Sequence, residues 1–438
     1  MAAPLTILCL ASYHKHKGID LLRELRRQDC TVLLVTSKSL EDAEWPRDSI
    51  DEIFYMPDTD KQWDARDTLL GISHLARSRW IDRIVPLDDF DLEKAAAVRE
   101  HLRVPGMGES QTRFFRDARD AGTRVTVGHP GTGVRVVGQR RPGAGVRRAR
   151  HAAVDSQASV DGRRHRHPQA AQRRRALEHG SRARRSAVVL PARAVCGGRH
   201  FPRRFGHVEG RLVRAVVSRY GTPPFTVSHG GGVFTTRLVE RGWTDDRALQ
   251  SLSAAVLSAF GLHEGVSHTE YIRAVDGTWY FLETSARVGG AHIADLVEVA
   301  TGANFWAEWA KIEAAAARGA SYAPPADRGD YAGLIVSLAR QEQPDTSAYI
   351  DAEIVWRLSK RHHVGLIVRS RDQRRVEELL DRYTARFTED FVAAIGMRAF
   401  GKLTRSIGKG QTGFRLQTAG FGDSGLKPPE VQSLKLEA

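Results

Sequence analysis

Short apolar runs alternate with amphipathic stretches along the first 117 residues. Leu5–Leu10 reads as a buried strand, Gly18–Arg27 as an amphipathic helix, and Thr31–Thr36 as a second strand rich in Val and Leu. Glu52–Met56 and Arg83–Leu87 continue the strands, with helices predicted over Trp63–Trp80 and Leu92–Leu102. Strands alternating with helices imply a parallel sheet covered on both faces, an α/β fold with a Rossmann-like first domain. No G-x-G-x-x-G follows the first strand, where Ser12-Tyr13-His14-Lys15-His16-Lys17-Gly18 stands instead. That argues against a standard dinucleotide site. Asp88-Asp89-Phe90-Asp91 lies just past a strand's C-terminal end, where ligand sites of α/β sheets gather; a capped turn into the next helix fits it equally well.

Patterned sequence resumes at Val208–Tyr220, predicted as a strand pair. An irregular loop with Pro223-Pro224 and His229-Gly230-Gly231-Gly232 follows, then a helix over Arg247–Phe260 that Thr244, Asp245 or Asp246 can cap. Beyond Tyr331 the predicted order is strand (Ala332–Leu338), strand (Ala352–Ser359), strand (Val364–Val368) and helix (Gln373–Tyr383), a compact α+β unit. His362 and His363 point to opposite faces and read as structural.

Composition changes this picture in one place. The chain of 438 residues carries 66 Lys+Arg against 52 Asp+Glu, a formal charge of +14. From Ala118 to His207 there are 21 Arg, no Lys and four acids, leaving 45 basic and 48 acidic residues elsewhere. The excess therefore belongs to one window, which also lacks Ile, Asn, Met, Tyr and Trp. A nucleic-acid arm, a disordered linker, a solvated helix and an out-of-frame translation compete as explanations. The only aromatic rings for base stacking are Phe201 and Phe205 at its far end, Ser and Glu are too sparse for a usual linker, and no helical period survives the Gly and Pro residues. The joint loss of residues with A/T-rich codons favours the frame reading, so residues 118–207 are expected to be non-native or disordered.

The remaining signals are bland. No apolar run is long enough to span a membrane, and Leu5–Ala11 is too short for a signal peptide and has no basic region before it. Cys9, Cys30 and Cys196 suggest neither a disulfide framework nor a zinc site, which suits a reducing cytoplasm.

The most informative stretch is His268–Arg287. Asp276-Gly277 between alternating runs signals a two-residue turn. A regular ladder closed there pairs Val275 with Thr278 and therefore Glu270 with Glu283, their Cβ atoms ~4.5–5.5 Å apart. Ile272, Ala274, Trp279 and Phe281 then share the acids' face. Two like charges so placed need a retained proton or a divalent cation, Mg²⁺ or Mn²⁺ being suited to carboxylates plus substrate phosphates; a merely solvated hairpin face is the alternative. Arg287 and Gly289-Gly290 follow, opening a predicted helix over Ala291–Ala300 that Gly302 closes. An Arg beside backbone donors at a helix start makes an anion site.

These residues resemble the ATP-grasp superfamily of carboxylate–amine ligases, whose hairpin bears an acid on its first strand and ends in Glu-x-Asn-x-Arg. Here the match is Thr269-Glu270-Tyr271 and Leu282-Glu283-Thr284-Ser285-Ala286-Arg287-Val288-Gly289-Gly290. The resemblance implies that Glu270 and Glu283 hold Mg²⁺ on the phosphates of ATP, with Ser285 in place of the usual Asn. It implies that Arg287 stabilises the transferred phosphoryl group, and that a carboxylate is activated as an acyl phosphate for attack by an amine. Arg219, His229 and Arg237 stand where a substrate loop is expected, the two arginines as candidates for the substrate carboxylate. Val104-Pro105-Gly106-Met107-Gly108 and Phe114-Phe115-Arg116-Asp117 extend the similarity, which covers residues 5–117 and 208–390. The family's first ATP lysine is replaced by Ala118, and its second lysine and lid loop have no match in the arginine-rich window, with Gly128-His129-Pro130 as an isolated remnant.

The expected organisation is thus a Rossmann-like domain (1–117), the arginine-rich segment in the place of the lid subdomain (118–207), a catalytic core with the hairpin (208–325), an α+β lobe (326–395) and a poorly ordered tail (396–438). The expected partners are small-molecule carboxylate and amine substrates, with a homodimer left open. The competing function is nucleic-acid binding through residues 118–207. Resequencing the gene across this window is expected to reveal a compensating pair of insertions or deletions; an intact frame sinks that reading.

Overall fold

The computed structural model describes residues 4–14, 18–59, 62–116, 128–129, 132–133, 135–136, 199–208, 210–221, 227, 231–274, 277 and 279–392. Its first part runs β1 (Leu5–Ala11), α1 (Gly18–Arg27), β2 (Cys30–Ser37), β3 (Glu52–Met56), α2 (Ala65–Leu75), β4 (Arg83–Pro86), α3 (Asp89–Leu102) and α4 (Glu109–Arg116). The strands form one parallel sheet in the order β3-β2-β1-β4. β1 and β2 are almost wholly apolar because both of their faces are buried. Asp64 caps α2 by accepting from Asp67 N, and Asp88 caps α3 by accepting from Phe90 N. α3 therefore starts three residues before the predicted Leu92. α2 stops at Leu75, short of the predicted Trp80, whose ring is 81% exposed.

Three short strands follow, β5 (Gly128–His129), β6 (Thr132–Gly133) and β7 (Arg135–Val136). The rest is built on β8 (Arg199–Val208), β9 (Arg211–Tyr220), β10 (Val233–Leu238), α5 (Thr244–Ala259), β11 (Gly265–Arg273), β12 (Trp279–Ser285), α6 (Ile293–Thr301), α7 (Phe305–Arg318), β13 (Tyr331–Leu338), β14 (Ile354–Arg357), β15 (His363–Ser370) and α8 (Gln373–Asp390). In the described residues these strands make a sheet in the order β14-β15-β13-β10-β9-β8-β11-β12-β7. It is antiparallel except where β7 joins β12.

The two-residue period of a strand divides its side chains between the two faces. Val216, Tyr220, Phe234 and Leu334 pack towards α6 and α7, and through α7 join the core of the parallel sheet around α1. Val217, Tyr271 and Phe281 pack under α5, and Val233, Ile335 and Leu366 under α8. Gly333 lets α8 come close: a Cβ there would lie 2.6 Å from Leu380 Cδ1 and 2.8 Å from Val376 Cγ1.

Three expectations change. Val208–Tyr220 is not itself a strand pair, because β9 pairs with β8, which lies almost wholly inside the arginine-rich window. β8 aligns with β11 from His207–Gly265 to Arg199–Arg273, and β7 also reaches the hairpin. The expectation that all of residues 118–207 are non-native or disordered is therefore wrong at both ends of the window, since β7 and β8 pair with the hairpin strands. Residues 137–198 and the predicted tail, 396–438, lie outside the described residues. Finally, α5 is preceded by Trp243 without a side-chain cap; Asp246 instead accepts from Gly242 N at 3.0 Å, and Asp245 pairs with Arg273 at 2.8 Å. α7 carries apolar residues around most of its surface because it is wedged between the two sheets, so it lacks the single stripe that makes a helix legible.

The seam between the sheets carries a buried ion cluster. Arg83 of β4 bonds Glu313 of α7 (Nε to Oε2, 2.8 Å) and Glu264, and Trp309 Nε1 donates to Glu313 Oε1 at 3.0 Å. Removing one member of such a cluster strands the others without water. Arg83→Ala is expected to lower unfolding stability by about 3–5 kcal/mol, read from denaturant titration, and Arg83→Met with Glu313→Leu to recover part of that loss.

Candidate active site

The hairpin brings the two acids together by a route the sequence pattern did not anticipate. His268–Ser285, Thr269–Thr284 and Glu270–Glu283 are register partners, but Tyr271 partners Phe281 and Arg273 partners Trp279. Leu282 is thus an extra residue, a β-bulge. Near the turn the ladder is offset by one residue from the predicted two-residue closure; Gly277 N bonds Ala274 O at 3.0 Å with Gly277 at φ 85°. The bulge cancels that offset before the acids are reached. It also changes faces: Trp279 and Phe281 join Tyr271 beneath α5 and do not share the face of Glu270.

Glu270 is largely buried. Tyr220 of β9 donates to its Oε1 at 2.7 Å, and His268 Nε2 stands 3.4 Å from the same oxygen. Glu283 is more open to water. Even so, the crowding protein that thins its hydration, followed by the charges of Glu270 and then Asp89, pushes its pKa up to about 7 against the opposing pull of Arg287. Glu283 thus keeps contact with water while the neighbouring protein and acids crowd it.

Arg287 is buried and forked onto Asp89, with Nε to Oδ2 at 2.6 Å and Nη2 on the same oxygen, while Nη1 donates to Val288 O at 2.9 Å. Asp89 stands at the start of α3, so this contact ties the C-terminal edge of the parallel sheet to the end of the hairpin. Of the two readings of Asp88–Asp91, the capped turn is observed: Asp88 caps the helix, Asp91 accepts from Ser12 N at 2.8 Å, and Asp89 crosses to the hairpin.

Other predicted site residues fall differently. Ser285 is opposite His268 in the ladder, next to the acids. α6 begins at Ile293 after two left-handed residues, Ala291 (φ 50°) and His292 (φ 58°). Gly289 and Gly290 therefore precede the helix instead of opening it. Gly302 ends α6 in the left-handed conformation, as predicted. Arg219 and Arg237 are register partners. Arg237 binds Glu377 of α8 at 2.7 Å, and strand alternation puts both arginines on the face away from Tyr220 and Glu270. His229 lies outside the described residues. Tyr220, His268 and Asp89 complete the site; only Asp89 carried a signal, its place just past the end of β4.

Among the described residues no group of three or more His, Cys, Asp and Glu is arranged to hold a metal ion. What exists is a pair of facing carboxylates whose mutual charge is incompletely neutralised. This is a hard-oxygen donor set that fits Mg²⁺ with other ligands supplied by phosphate and water.

No family model and no curated protein matches the chain. Solved structures do. An L-amino acid ligase from Bacillus licheniformis matches with a TM-score of 0.55 at 14% identity, over 90% of this chain and 99% of that one. Phosphoribosylglycinamide synthetase from Anaerococcus prevotii gives 0.53 at 12% identity, over 87% and 98%. Glycinamide-RNase-transformylase T from Mycobacterium tuberculosis gives 0.51 at 12%, over 86% and 99%. The chain has the ATP-grasp fold. In this fold the carboxylate pair sits on β11 and β12, and no described helix is long and apolar enough to cross a membrane.

The raised pKa of Glu283 carries a sign. The folded chain holds a proton that the unfolded chain has lost between its ordinary value of 4.5 and about 7, so ionisation destabilises the fold as pH rises through that window. Thermal unfolding of Glu283→Gln is expected to show a gain over the parent at pH 8 that shrinks towards zero at pH 4.

Proposed function

We propose that the protein is an ATP-dependent ligase that activates a carboxylate as an acyl phosphate and joins it to an amine or similar nucleophile. The observation that carries this reading is the facing of Glu270 and Glu283 beside the buried Arg287, on an ATP-grasp fold. Glu270 and Glu283 would hold Mg²⁺, which neutralises phosphate charge when bound with ATP. Tyr220 fixes one oxygen of Glu270 by donating to it, so the orientation of that carboxylate does not depend on a ligand.

Asp89 performs the same service for Arg287. By taking two guanidinium donors it sets the plane of the fork and leaves one N–H on each terminal nitrogen for the oxygens of a phosphoryl group or acyl phosphate. Phosphoryl transfer of this kind relies on positioning and electrostatic stabilisation more than on covalent participation by the protein. The amine and the carboxylate are small molecules in this reading, and the protein works in the cytoplasm. Arg237 pairs with Glu377 on the face away from the acids and does not serve as the carboxylate anchor.

Two measurements test the proposal. Mg²⁺ or Mn²⁺ is expected to raise the melting temperature of the parent at pH 8, more than at pH 5.5, and to leave Glu270→Gln and Glu283→Gln unmoved. A screen of carboxylate and amine pairs is expected to find Mg²⁺-dependent ADP release that falls by ~10²–10³ in Glu283→Gln and Arg287→Ala. ADP release unchanged in both variants, or none from any pair with the chain encoded by a frame-corrected gene, overturns it.

A further inference from the structure

The seam between the parallel sheet and the large sheet encloses a cavity of about 270 Å³, none of whose walls is Glu270, Glu283 or Arg287. It lies between β4, α3, the α3–α4 connection and the residues that lead into β11. At just under the ~300 Å³ of ordinary small-molecule pockets, it suits a compact ligand.

Its wall contains a buried cation whose charge is not matched by a contacting acid. Arg99 is 7% exposed. Its Nε and Nη2 donate to Ile84 O and its Nη1 to Met107 O at 3.2 Å, so backbone carbonyls take three of its five N–H groups. The two acids of the cavity wall, Glu264 and Glu313, are bonded to Arg83, and among the described residues no carboxylate pairs with Arg99. Burial, helped by the neighbouring charge of Arg83, lowers its pKa to about 10 against the opposing pull of Glu313.

The surroundings are shaped around this group. Gly106, at φ 137°, allows the chain to lie against Arg99; a Cβ there would be 2.9 Å from its Cδ and Nε. Gln111 spends its Oε1 on Gly108 N at 3.3 Å, which leaves its Nε2 as a donor at the cavity, and Gly261 makes room for that amide, since a Cβ would approach it to 2.7 Å. The polar atoms left over on this side are thus N–H donors. Leu92, Met107, Leu262 and Trp309 supply the apolar part of the lining, beside the Arg83–Glu264–Glu313 cluster and His263.

We propose that this cavity is a second ligand site, taking a small monocarboxylate with an apolar body, its carboxylate held by the remaining Nη donors of Arg99 and by the Gln111 amide. The inference does not depend on the ligase reading. It also places the ligand against Ala286, the neighbour of Arg287, so occupancy has a short path to the acids' face.

Titration calorimetry on the full chain tests it, with benzoate as the probe and benzamide as its neutral isostere. The expected result is saturable one-to-one binding of benzoate and none of benzamide. Affinity should weaken at least tenfold in Arg99→Lys, which lacks the fork, and in Gln111→Trp, which fills the space; Arg287→Gln should bind as the parent does. No saturable binding of benzoate, equal binding of benzamide, or parental affinity in Gln111→Trp overturns the proposal. Loss of binding in a folded Arg287→Gln places benzoate at the acids instead and overturns it as well. Should Arg99→Lys fail to fold, Gln111→Trp decides the matter.

Discussion

A backbone ladder that forces two carboxylates to face each other is the constraint around which this molecule is arranged. Strand register holds the two acids opposite each other, and the burial of Glu270 makes their repulsion more costly than on a fully open surface. The surrounding structure meets this charge in parts. A tyrosine hydroxyl from the neighbouring sheet region takes up one oxygen of Glu270, Arg287 supplies the nearest positive charge, and Asp89 in turn uses up part of that. The negative charge that remains is part of what holds a proton on Glu283 beyond the ordinary carboxylate range.

The same contacts join the two halves of the chain. Arg287 and Asp89 are separated by 198 positions, and Arg83 and Glu313 by 230. Both pairs sit on the seam where the parallel sheet meets the large antiparallel one, with α7 as a common wall. A site assembled across such a seam depends on how the two sheets dock, and the buried ion cluster under β4 fixes that docking as much as the apolar core does.

Much of this was legible in the residues, unevenly. The leading strands and α1 were readable because an apolar run with turn signals at its ends has few alternative structures. α7 was not, because a helix packed on several sides loses its period. The pairing of Glu270 with Glu283 came out of a turn rule that does not hold at the turn itself: the loop is longer than two residues, and the bulge at Leu282 compensates. A single extra residue leaves no mark in a hydrophobic pattern, so the acids were correctly paired while the aromatic side chains were assigned to the wrong face. β8 was illegible for a different reason, since the composition of its neighbourhood concealed a strand whose identity rests on long-range pairing with β9 and β11.

The distance along the chain between α1 and α7 has a further consequence. Gln28 accepts from Arg318, 290 positions later, and Asp20 accepts from Asn304, 284 positions later. The parallel sheet is complete once β4 has been synthesised, yet the apolar side of α1 has no α7 to rest on until most of the chain has followed. At roughly 5–20 residues per second, the stretch from β4 to the end of α7 takes on the order of 12–46 s, during which a finished sheet displays an uncovered flank. In the nascent chain the apolar flank of the first sheet is therefore exposed before the contacts across the seam, and the facing of Glu270 and Glu283, can form.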